Sequence, residues 1–201
     1  MKARKVAGLD PQGALADNVE RIARTRLDEL EGFLPAVLDE REVSALHDMR
    51  IAAKRLRYLL EATADTCFGS YGRTAAKRAR ELQDLIGEIH DCDVAIPRVE
   101  QALAAVEAAD EEQLVRRAGE APDLAPRLAA DLPHAAEHRG LVTLLTYLRA
   151  RRRVLFRRFL AEWRSWERDG VAPRLRFALA ERPEAITRRS PDGNESGAAP
   201  A

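Results

Sequence analysis

The sequence predicts an all-α fold, a four-helix bundle, on three observations. Ala, Leu, Arg and Glu dominate the 201 residues and aromatic side chains make up only 5%, so helix formers outnumber the β-branched and aromatic residues a sheet needs. Apolar residues recur at helical spacing over four long segments. Gly and Pro punctuate the short connections between them. One domain is expected, because a chain of this length supports one well-buried core and is too short for two full domains with linkers.

After a short basic start, Asp10-Pro11 is expected to open the first helix, where Leu15, Val19, Ile22, Ala23, Leu27, Leu30 and Leu34 share a face. Gly32 and Pro35 weaken its end, and a turn near Arg41 leads to Ser44, the expected cap of a second helix running to Phe68. Gly69 to Gly72 reads as a loop. Ala75, Ala79, Leu82, Leu85, Ile86 and Ile89 align at about 100° per residue and define a third helix from Arg73 to Val94. Pro97 then kinks that helix or begins a new one, and the chain from Arg98 to Gly119 keeps a helical pattern with acidic exposed positions. Pro122, Pro126 and Pro133 mark a loop with a short helical turn at most.

The fourth helix is expected from His134 to Trp166, with Leu141, Leu144, Leu145, Leu148, Leu155, Phe156, Phe159, Trp163 and Trp166 along one side. Gly170 ends it, and a short helix from Arg174 to Glu181 follows. From Pro183 the composition cannot bury enough apolar surface to order itself, so the domain is placed at 10–182 and a disordered tail at 183–201.

Lys and Arg number 33, as do Asp and Glu, and the formal net charge is zero. That argues against wholesale attraction to nucleic acid and leaves the local distribution of charge to speak. Arg50, Lys54, Arg55, Arg57, Arg73, Lys77, Arg78 and Arg80 form one basic block, and Arg149, Arg151, Arg152, Arg153, Arg157 and Arg158 a second. Cys67 and Cys92 each stand alone in a helical pattern, which indicates neither a disulfide framework nor a thiolate metal cluster and fits a reducing cytoplasm. No apolar run approaches the roughly 18 residues a membrane span requires, and the N-terminus lacks the apolar core of a signal peptide.

The segment from His47 to Tyr58 is the most informative. On a helix, His47, Arg50, Lys54 and Arg57 fall within about 80° of one another, beside an apolar sector of Met49, Ala53, Leu56 and Leu60. Like charges stacked at these spacings destabilise an isolated helix, so a neutralising partner is expected. A phosphate chain suits: Arg offers a planar fork, Lys a compact charge, and His a donor in either protonation state. An ordinary solvated face is the alternative. Arg55 points elsewhere on the wheel and reads as a solvated charge.

Residues His47 to Glu61, as H-x-x-R-x-x-x-K-R-L-R-Y-x-x-E, followed by Leu82-Gln83-Asp84-Leu85-Ile86-Gly87 and Asp91-Cys92-Asp93-Val94, resemble the helical core of the CHAD family, the conserved histidine α-helical domains. The resemblance covers about residues 44 to 97. It implies binding of inorganic polyphosphate by basic side chains lining a cavity, and carries that role onto His47, Arg50, Lys54 and Arg57, with Lys77 and Arg80 extending the track. The family usually has two four-helix halves in one chain, each with its own basic helix, whereas this sequence has a single copy. It resembles one half of that two-bundle arrangement, and two chains are expected to associate as a homodimer that restores it. The corresponding location is the cytoplasm, in association with polyphosphate granules.

In the third helix Arg73, Lys77 and Arg80 form a second basic row, which also fits a solvated face with ion pairs such as Arg80 to Asp84. In the fourth, Arg152 falls within the apolar arc; it snorkels, pairs with a carboxylate such as Asp91, or faces the ligand beside Arg149 and Arg153. Arg151 and Arg158 read as solvated. His90-Asp91-x-Asp93 and the two His-Asp doublets suggest a metal-dependent phosphohydrolase, but neighbours one residue apart on a helix diverge by about 100°, and further ligands are not evident. Trp163 and Trp166 fit core packing better than a base-stacking platform. The sequence therefore points to a non-catalytic protein without cofactor or metal that binds polyphosphate. A phosphohydrolase and a binder of the nucleic-acid phosphate backbone are the alternatives.

Overall fold

The computed structural model describes residues 2–181, and the expected tail at 183–201 lies outside them. All regular structure in the described residues is helical, in keeping with an all-α helical bundle. The helices are α1 (Leu15–Glu31), the short α2 (Leu34–Val37), α3 (Val43–Thr63), α4 (Gly69–Ala118), α5 (Ala135–Arg168) and α6 (Val171–Glu181). A π-helical turn, Ala64–Phe68, joins α3 to α4, and a 3-10 turn, Pro126–Ala129, lies before α5.

Several boundaries differ from the sequence expectation, among them the first helix, which ends at Glu31 before Leu34, and the second, which ends at Thr63 and not Phe68. Asp10-Pro11 makes a turn instead of a helix start: the Asp10 carboxylate accepts from the Gln12 backbone N–H at 2.9 Å, the Asn18 amide donates to the Asp10 carbonyl at 2.7 Å, and the helix begins at Leu15. Gly69 to Gly72 is not a loop. Gly69 turns the chain with φ of 62°, and Gly72 sits in the first turn of α4, where a Cβ would come within 2.9 Å of the Phe68 Cβ and 3.2 Å of the Ala64 Cα. Glycine there reflects close packing against the π turn. The expected third helix and the acidic stretch after it are one 50-residue helix running through Pro97. Pro97 is exposed, so the hydrogen bond it removes is lost where water can replace it. Pro173 does not delay α6, because it stands in the first turn, where the missing N–H has no intrahelical partner to lose.

The described residues form two compact units: 2–32, 51–81 and 165–181 in the first, Phe33–Arg50 and Leu82–Arg164 in the second. In the first, Val19, Ala23, Leu27 and Leu30 of α1, Ala53, Leu56 and Leu60 of α3, Ala75 and Ala79 of α4, and Leu175 and Leu179 of α6 are buried. Helix α6 packs against α1 and the π turn, and Arg176 pairs with Asp28 and Glu31, each at 2.6 Å. Arg55, expected to be solvated, belongs to this framework. Its guanidinium reaches the buried Glu29 carboxylate at 3.1 Å, which also accepts from Arg26 at 2.5 Å and from the Arg4 backbone N–H at 3.2 Å. A buried carboxylate needs this much compensation.

In the second unit, Leu46 and Met49 of α3, Leu82, Leu85, Ile86, Ile89 and Cys92 of α4, and Leu145, Leu155, Phe156, Phe159 and Trp163 of α5 are buried. The aromatic residues of α5 are core, as expected, whereas Leu144 is 43% exposed. Arg151 is not simply solvated: it pairs with Glu88 at 2.8 Å.

Candidate functional site

The basic residues singled out in the sequence fall into both units. In the first, the C-terminal part of α3 and the first turns of α4 carry Lys54, Arg57, Lys77 and Arg80. Arg57 and Arg80 converge on one atom: Glu61 Oε1 accepts from Arg57 Nε at 2.8 Å and from Arg80 Nε and Nη2 at 3.0 and 2.5 Å. Arg80 thus pairs across to α3, not along its own helix with Asp84. The hydrogen bond from Arg57 holds the Glu61 carboxyl below its usual range, with Arg80 adding to the effect and partial burial opposing it. Lys54 is exposed with its ammonium 5.6 Å from the Tyr58 ring centroid, and the Arg57 guanidinium lies 5.4 Å from the same ring. Lys77 stands apart, 76% exposed with Glu81 at 3.9 Å.

In the second unit, Arg149, Arg152 and Arg153 of α5 share a cleft of about 300 Å³ with Glu40, Arg41 and Val43. Helical spacing accounts for the α5 arginines: Arg149 and Arg153 stand one turn apart and Arg152 beside them. Arg152 pairs with Asp93, not Asp91, and donates to the Glu40 carbonyl at 2.8 Å. Arg149 pairs with Glu100 at 2.6 Å. No ion pair holds Arg41 or Arg153 among the described residues. Sequence reading missed Arg41, because it lies in a turn whose nearness to α5 no periodicity reveals.

His47 and Arg50 extend the basic character of this unit along α3, one and two turns beyond Val43. The His47 ring meets the His90 ring at 4.7 Å between centroids. His47 Nδ1 and Arg50 Nε are buried without a hydrogen-bond partner, and the Arg50 Nε–H calls for an acceptor. Arg50 lies over Gly87, where a Cβ would come within 3.5 Å of its Nε. His90-Asp91-x-Asp93 does not form a metal centre: His90 faces His47, Asp93 is held by Arg152, and no group of three or more His, Cys, Asp or Glu with suitable placement occurs among the described residues.

A family model described as the CHAD domain matches residues 2–100, just under half of the chain. Over that stretch the chain is similar to the CHAD domain family. The CHAD match takes in His47, Arg50, Lys54, Arg57, Glu61, Lys77 and Arg80, whereas Arg149, Arg152 and Arg153 lie beyond it. Neither the curated proteins nor the solved structures compared with the chain gave a match. No helix among the described residues is long and apolar enough to cross a membrane.

Proposed function

We propose that this chain binds inorganic polyphosphate and does not act on it catalytically. The observation that carries the reading is the cleft of Arg41, Arg149, Arg152 and Arg153, in which, among the described residues, no ion pair holds Arg41 or Arg153, although Glu40 also lines it. His47 and Arg50, with buried nitrogens lacking hydrogen-bond partners, continue the same chemistry along α3. Guanidinium forks match phosphate oxygens in geometry as well as charge, and a repeating anion engages many of them at once. Similarity to the CHAD family supports polyphosphate over other linear anions. Lys54, Arg57, Lys77 and Arg80 supply a further set of cations. We further propose that two copies pair, each contributing one basic α3, and that the complex resides in the cytoplasm on polyphosphate granules.

Retention of the full chain on immobilised long-chain polyphosphate across a salt series tests the reading. Retention should rise with polymer length and fall steeply with salt, because bound counterions are released from the polymer. Salt-insensitive retention, or none, refutes it. RNA that short polyphosphate fails to displace would favour a nucleic-acid binder. Metal-dependent release of orthophosphate that disappears in His90→Ala would favour a phosphohydrolase. Sedimentation showing a monomer with polyphosphate affinity intact would remove the pairing.

A further inference from the structure

Glu61 is placed unlike the other carboxylates that pair with the basic residues. Two arginines from different helices donate to its single oxygen Oε1, and Arg80 does so with both Nε and Nη2. The cluster is partly open to solvent: the Arg80 side chain is 53% exposed, that of Glu61 28% and that of Arg57 18%. Ion pairs this open contribute little to folding, in contrast to Glu29, whose side chain is only 2% exposed and which needs its arginines. Lys54 lies nearby on α3, with Arg57 against the same Tyr58 ring, so Arg57 has a contact besides the carboxylate, whereas Arg80 is held by Glu61.

We infer that Glu61 is an internal counter-ion occupying an anion subsite formed by Arg57 and Arg80, and that a phosphate group of the polymer binds there by displacing it. The inference rests on the polyphosphate reading above and adds a device that sets its affinity. A carboxylate one turn from Arg57 on the same helix is always at hand, at a high effective concentration. An isolated small anion therefore competes poorly for the pair. A polymer already anchored by other cations presents its phosphate groups at a comparable effective concentration and can replace the carboxylate. Glu61 thereby favours long chains over short ones. The opposite role, in which Glu61 orients the arginines toward the ligand, makes the opposite prediction, because its loss would then weaken binding.

The test is anisotropy of end-labelled long-chain polyphosphate titrated with wild-type protein, Glu61→Gln, Arg80→Ala and the double variant, with helicity followed by circular dichroism. Glu61→Gln should bind roughly threefold tighter or more, and its log affinity should fall more steeply with log salt, by about 0.7 for each cation released. The discrimination against short chains should shrink. Arg80→Ala in the Glu61→Gln background should cancel most of the gain, and Glu61→Ala should shift affinity in the same direction as Glu61→Gln. Wild-type binding that Glu61→Gln leaves unchanged or weakens overturns the inference and leaves the polyphosphate reading standing. Absence of binding by wild type and variants alike overturns both.

Discussion

Replacing Arg152 by alanine separates framework from ligand contact within the arginine cleft. Its side chain is 13% exposed, and that of its partner Asp93 10%. The substitution leaves Asp93 without its counter-charge and takes a donor at 2.8 Å from the Glu40 carbonyl. Breaking a buried pair by removing one partner costs about 3–5 kcal/mol, and the lower end applies because both groups retain some access to water. A loss of about 3 kcal/mol corresponds to a fall in Tm of about 6–12 °C for a domain of this size. Arg153→Ala, at an exposed side chain with no ion pair, should change stability by less than about 0.5 kcal/mol. Thermal and urea unfolding followed by circular dichroism give both values. An Arg152→Ala protein as stable as wild type would refute the reasoning, because Asp93 would then not depend on the guanidinium.

Other expectations follow from the same geometry. Gly72→Ala should destabilise the protein by about 1–3 kcal/mol in urea unfolding, since the added methyl meets Phe68 and the Ala64 backbone. Glu61 has a depressed folded-state pKa, so its ion pairs contribute stability above the ordinary glutamate range and lose it as pH falls through the folded value. Acid unfolding of Glu61→Gln should accordingly show a shallower dependence on pH over that window, and an unchanged profile would mean the pairs contribute nothing to folding. Arg50→Glu combined with Arg57→Glu should abolish polyphosphate retention with helical content near wild type; loss of helicity would show that these residues hold the fold.

Helical periodicity made much of the architecture legible. Ala75, Ala79, Leu82, Leu85, Ile86 and Ile89 were expected on one buried face, and all are buried. Helix ends were less legible, because they depend on tertiary contacts: the glycine at position 72 marks close packing of a helix start against the π turn and not a loop, and Pro97 passes within a helix because it faces outward. The same limit applies to the charges. Their spacing placed Arg149, Arg152 and Arg153 on neighbouring positions of one helix, and the cleft does contain them together. It did not reveal that Asp93 rather than Asp91 receives Arg152, that Arg80 turns to Glu61, or that Arg55 serves the buried Glu29. Each pairing joins different helices, where a shift of one position along a helix redirects a side chain by about 100°.

The central claim is that cations lacking internal partners receive the polymer, and the most direct measurement is NMR of arginine Nε–Hε groups during titration with polyphosphate. Arg41, Arg50 and Arg153 should shift with saturable dependence on the polymer, while Arg55 and Arg176, committed to carboxylates of the framework, should stay in place. Shifts confined to the framework arginines, or none at all at saturating polymer, would contradict the account.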